Sequence, residues 1–133
     1  MAERIRLDVA ATPGAFSTVR RVLGGLGARL GYSLDDLDDL YLGTEELVRS
    51  ALRREPLERI CLEALVGADH LELTLGPFTS SLLRADVAAD VAACDAIDLC
   101  RLLGRTMDEV RLIDDPSGAF AVVLVRRHRG ASE

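Results

Sequence analysis

The chain has 133 residues and a formal net charge of −6, a length that fits one domain and buries a single core without the help of disulfides. Apolar residues make up 49% and aromatics only 4%, with no Trp, so the core must be aliphatic. The acidic balance argues against a nucleic-acid binder, whose affinity depends on a positive field at the phosphates, and suits a basic protein partner.

Ile5, Leu7 and Val9 alternate with Arg6 and Asp8, the period-2 pattern of a half-buried strand. Thr12 and Pro13 then offer an N-cap and a first helical position, and Phe16, Val19, Leu23, Leu26 and Leu30 recur on one helix face, which predicts a helix from about Pro13 to Leu30. Gly24, Gly25 and Gly27 lie inside it at about 1 kcal/mol each relative to Ala. They imply either close packing against another element or a frayed end. Gly31 closes this helix, and Ser33 with Asp36 forms a capping-box pattern for a second one that ends before Pro56. Asp35, Asp36, Asp38 and Asp39 gather in its first turns, where the helix dipole favours negative charge. They read as a solvated cap rather than a metal site.

From Leu57 the period changes to two: Ile60, Leu62 and Ala64, a turn over Gly67 to His70, then Leu71, Leu73 and Leu75. This predicts a β-hairpin, broken by Gly76 and Pro77. Phe78 to Ala93 read as irregular. Ile97, Cys100, Leu103 and Met107 mark a third helix, Val110, Leu112 and Ile113 a strand, Asp114 to Gly118 a turn, and Phe120 to Val125 a last strand before the tail RRHRGASE. We place a single domain at residues 1–128 and the terminal tail at 129–133. The fold class is α+β: a two-layer sandwich with one mainly antiparallel sheet and three helices on one face.

Cys61, Cys94 and Cys100 are odd in number and lack CxxC spacing, and His70 and His128 stand alone. Neither a disulfide framework nor a zinc site is expected, and the cysteines read as buried thiols in a reducing compartment. No stretch of about 18 apolar residues suggests a membrane span, and MAERIRLDVA has no signal-peptide core. A cytoplasmic location is expected.

The element order, with DLDDLYLGTEELVRSAL and the closing LCRLLGRTMDEVRLIDDPSGAFAVVLVRR, resembles the RsbW-type anti-sigma-factor serine kinases, small members of the GHKL (Bergerat) ATPase superfamily. The resemblance spans nearly the whole chain and implies that fold. In the family a Glu and an Asn four residues apart share one face of a long helix. The Glu is the general base and the Asn holds Mg²⁺ on the phosphates. Here those positions are Glu46 and Ser50. A Ser hydroxyl is a shorter and weaker oxygen donor than an amide carbonyl for a hard octahedral ion. The family's Asp-x-Gly-x-Gly turn after the third strand is replaced by GPFTSS, Gly76 to Ser81, and the glycine-rich lid by AADVAACDAID.

Three of the four nucleotide elements are therefore missing, and Glu46 and Ser50 read as the remnant of an ATP site. No catalytic residue, metal or cofactor is expected. Glu46 is then a polar helix residue or a partner contact, and Arg49 is either a solvated side chain or a cation in the vacated metal position. The resemblance also implies an Arg of the first helix that touches the partners, matched here by Arg20 or Arg21, and a homodimer made through that helix, where Gly24, Gly25 and Gly27 would permit close approach. The expected role is a non-catalytic anti-sigma factor that sequesters an alternative sigma factor and is released by a STAS-domain antagonist. The alternative is an ATP- and Mg²⁺-dependent anti-sigma kinase with Glu46 as base, and a third possibility is a scaffold for some non-sigma partner.

Overall fold

The computed structural model describes residues 3–88 and 98–128. Its elements are β1 (Glu3–Ala10), α1 (Pro13–Leu30), α2 (Leu34–Arg54), β2 (Arg59–Val66), β3 (His70–Phe78), α3 (Ser81–Ala88), α4 (Leu99–Thr106), β4 (Glu109–Asp114) and β5 (Phe120–Arg127). The strands form one antiparallel five-stranded sheet in the order β1-β2-β3-β5-β4. Alternate residues Ile60, Leu62 and Ala64 of β2, Leu71, Leu73 and Leu75 of β3, and Val122 and Leu124 of β5 turn inward, where they pack with Leu23 and Leu26 of α1, Leu40, Leu47 and Ala51 of α2, Leu83 of α3 and Leu103 of α4. The period of two in the strands and the apolar stripe on each helix thus meet in a single aliphatic layer, as the expected two-layer α+β architecture requires.

Both long helices start and stop where their signals lie. Ser33 Oγ accepts from the Asp36 N–H at 3.1 Å and the Asp36 carboxylate accepts from the Ser33 N–H at 3.3 Å, a complete capping box. Gly31 closes α1 in the left-handed conformation at φ 75°, which glycine adopts without a Cβ penalty. Thr12 sits at the N-cap of α1 without a side-chain capping bond. The interior glycines have a packing explanation: a Cβ on Gly24 would lie 2.7 Å from Tyr41 Oη, and one on Gly27 would overlap Leu37, so both admit α2. Gly25 has nothing within 4 Å.

Several expectations need correction. Four helices rather than three are present among the described residues, because Ser81–Ala88, within the stretch read as irregular, is helical. Ser80 starts it by accepting from the Leu83 N–H at 3.1 Å, and Leu83 and Val87, one turn apart, are buried. Residues 89–93 of that stretch, and Ile97 of the next helix, lie outside the described residues. Gly76 and Pro77 do not end β3, which runs on to Phe78; the pairing with β5 shifts register between Leu75 and Phe78, so the N–H that Pro77 lacks falls where the ladder is already irregular. The tail begins later than RRHRGASE suggests: Arg126 and Arg127 belong to β5, and 129–133 lie outside the described residues. Asp36 is no solvated cap, since it is buried against Arg126 at 2.7 Å. Cys100 is disulfide-bonded, contrary to the expectation of free thiols, whereas Cys61 is free.

Candidate functional site

The expected site residues lie on α1 and α2. At 3.6 residues per turn, Glu46 and Ser50 are one turn apart, but they meet different environments. The Glu46 side chain is partly exposed, and its carboxylate accepts from Arg49 Nη1 at 2.9 Å. Ser50 is buried, and its Oγ accepts from Arg53 Nη2 at 3.0 Å. No hydrogen bond joins Glu46 to Ser50 among the described residues.

Ser50 lies on the wall of a cleft of about 260 Å³ that also carries Arg53 and Arg54 of α2, Asp86 of α3 and Asp98 at the start of α4. Arg54 is paired across it with Asp86 at 3.0 Å. At the β3–α3 corner Glu55 takes the available donors. Its carboxylate accepts from the Thr79 N–H at 2.9 Å, the Thr79 hydroxyl at 2.9 Å and the Ser80 N–H at 2.7 Å.

These groups do not fit a magnesium nucleotide. The guanidinium of Arg53 donates to the Ser50 hydroxyl, so a positive charge sits beside the oxygen that the resemblance would offer to Mg²⁺. The Glu55 carboxylate has consumed donors at the corner and would repel an anionic ligand. No cluster of three or more His, Cys, Asp or Glu among the described residues is arranged to hold a metal ion. The lid segment falls mostly outside the described residues.

The second part of the site is a polar network across the α1–α2 contact. Arg20 Nε and Nη2 both donate to Glu45 Oε2, at 3.2 and 2.6 Å, and the guanidinium lies over the Tyr41 ring, 4.8 Å from its centroid. Arg49 lies over Phe16 at 5.2 Å and comes within 3.9 Å of the other Glu45 oxygen. The bond to Glu45, reinforced by its charge, raises the Arg20 pKa further. Arg21 is exposed and makes no hydrogen bond or ion pair among the described residues. The network therefore brings together Arg20, Glu45, Glu46 and Arg49, and leaves Arg21 and Ser50 outside it.

Sequence reading missed Glu45, Arg53 and Glu55 as participants. Glu45 and Arg49 have the i,i+4 spacing of a helical ion pair, which was legible; the bond from Glu45 to Arg20 spans 25 positions and leaves no local signal. Glu55 sits at the C-cap of α2 beside Pro56, where it reads as a helix stop.

No family model matches the chain, and no curated protein matches it. Among solved structures it is similar to the crystal structure of the RsbU and RsbW domains of a Mycobacterium tuberculosis protein, with a TM-score of 0.62 and 17% sequence identity over 94% of this chain and 32% of that one. The chain thus spans about a third of the length of that relative. At this identity the likeness establishes the fold: the chain has an RsbW-like α/β sandwich.

Proposed function

We propose that the protein is a non-catalytic anti-sigma factor, which sequesters an alternative sigma factor and gives it up to a STAS-domain antagonist. The reading starts from the RsbW-like fold, and the observation that supports it is the hydrogen bonding at the β3–α3 corner and at Ser50, where the resemblance would put the nucleotide. There Glu55 has taken the N–H groups of Thr79 and Ser80, and Arg53 has taken the Ser50 hydroxyl. What remains of such a domain without its nucleotide chemistry is a binding surface. In this reading Arg20, with Arg21 beside it, contributes the specific polar contacts, the acidic chain attracts basic regions of the sigma factor, and two copies pair through the α1 side. The surviving cleft beside Ser50 favours a second reading, an ATP-dependent serine kinase with Glu46 as base.

Two measurements test the assignment. Surface-plasmon kinetics against the sigma factors encoded by the same genome should show saturable binding to one of them, with an association rate that falls as salt rises; binding to none refutes the reading. Calorimetry with ATP and Mg²⁺ should give no saturable isotherm. A low-micromolar dissociation constant, together with phosphate transfer to a STAS protein lost in Glu46→Ala, would establish the kinase instead. Light scattering should give a dimer mass, and a monomer at tens of micromolar would remove the pairing from the proposal.

A further inference from the structure

Arg20 and Glu45 meet at the rim of the α1–α2 contact in an arrangement that is half complete as a carboxylate-binding site. The guanidinium carbon lies over the Tyr41 ring, 4.8 Å from its centroid, and a guanidinium offers a planar fork of donors matched to a carboxylate. Glu45 Oε2 fills the Nε–Nη2 edge. The Nη1 edge makes no hydrogen bond among the described residues, and the Arg20 side chain is 54% exposed where that of Glu45 is only 14%. The fork therefore faces outward while its internal partner lies behind it.

Glu45 also has a second seat. Its Oε1 is 3.9 Å from Arg49 Nη2, beyond hydrogen-bond reach but close enough that a modest side-chain rotation would close the gap. Arg49 is currently bonded to Glu46 and can accept a second carboxylate, because its guanidinium carries five donors. The chain Arg20, Glu45, Arg49, Glu46 thus alternates in charge and can shift by one bond without stranding a charge.

We propose that Glu45 is an internal competitor at Arg20: a protein partner binds by placing an acidic side chain on the Arg20 guanidinium, and Glu45 gives way toward Arg49. This deepens the reading of Arg20 as a partner contact and rests on it. Exchanging one carboxylate for another keeps Arg20 paired throughout. The contact then adds specificity while contributing little net affinity, which suits a complex that an antagonist must be able to dissolve.

The test is surface-plasmon binding of wild type, Glu45→Gln, Arg20→Ala and the double variant to the sigma factor that wild type captures. Glu45→Gln should tighten binding by about three- to five-fold, the range of a partly exposed ion pair, and the gain should vanish in the Arg20→Ala background. A second variant guards against misfolding of the first: Arg49→Gln withdraws the alternative seat and should weaken binding by a similar factor, an effect abolished when Glu45→Gln is also present. Unchanged or weaker binding by folded Glu45→Gln, or a gain that persists without Arg20, overturns the inference while leaving the anti-sigma reading intact. Capture of no sigma factor by wild type removes that reading and the inference with it.

Discussion

Thr44 faces inward on α2, 1% exposed, and its hydroxyl has no hydrogen-bond partner among the described residues. It lines a small cavity of about 20 Å³ whose other walls include Val9, Phe16, Val48, Ile60 and Leu62. That volume would hold one water, but a buried water needs two or more polar partners, and Thr12 is the one other residue with a polar side chain in an otherwise apolar lining. A buried hydroxyl left unbonded carries its desolvation cost with no return. Thr44→Val should therefore raise stability by about 1 kcal/mol, read as a higher urea midpoint at an unchanged m-value. A loss of stability would mean that the hydroxyl has a partner after all. The same logic at Glu55, whose carboxylate holds three donors of the β3–α3 corner, predicts the opposite sign: Glu55→Ala should cost about 1 to 3 kcal/mol and increase amide exchange first at Thr79 and Ser80.

Glycines show how the helices are spaced. A Cβ on Gly43 of α2 would come 2.5 Å from Met107 Cε and 2.7 Å from Thr106 Oγ1 at the end of α4. The methionine tip can move, but Thr106 is buried and its hydroxyl donates to the Leu102 carbonyl at 2.9 Å. Gly43→Ala gains about 1 kcal/mol of helix propensity and loses about 1 to 3 by overpacking, so thermal unfolding should show a net loss. Gly25→Ala meets open space and should gain about 0.5 to 1 kcal/mol. These two outcomes bear on how far the sequence could be read. The capping signals at Thr12–Pro13, Gly31 and Ser33 and the alternation in the strands are local, and they placed α1, α2 and the β2–β3 hairpin within a residue or two. Helix α3 was not legible because its eight residues offer only two buried positions, too few to establish a period. Likewise Glu46 and Ser50 could be placed on one helix from their spacing, whereas the partners that decide what they do, Arg49 and Arg53 within the helix, Glu45 for Arg20 and Glu55 for the corner, depend on side-chain geometry and on contacts between distant segments.

At the scale of the molecule, one buried charge ties the sheet to the helix layer. Arg126, 7% exposed near the end of β5, donates to Asp36 at 2.7 Å and to the Thr106 carbonyl at 2.9 Å, and lies 3.2 Å from Asp39. It thereby joins the start of α2 and the end of α4 to the sheet. Its own carbonyl accepts a hydrogen bond from the Tyr32 hydroxyl, whose pKa burial pushes well above the ordinary phenol value. Burial acts to raise the Asp36 pKa, but the hydrogen bond from Arg126 and those from Ser33 together outweigh it, and the net direction is down. A carboxylate whose folded pKa is depressed binds fewer protons when folded than when unfolded. Its contribution is therefore fully present above the ordinary carboxylate pKa of about 3.9 and is lost as pH falls through the lowered folded value. Asp36→Asn should cost about 2 kcal/mol at neutral pH, less than the 3 to 5 of breaking a buried pair outright, because Asp39 remains beside Arg126. The decisive readout is the slope: between pH 5 and pH 2 the stability of wild type should fall more steeply than that of Asp36→Asn, and the two curves should converge at the acid end. Parallel curves over that range would show that Asp36 titrates alike in the folded and unfolded chain and that the Arg126 junction contributes nothing to acid sensitivity.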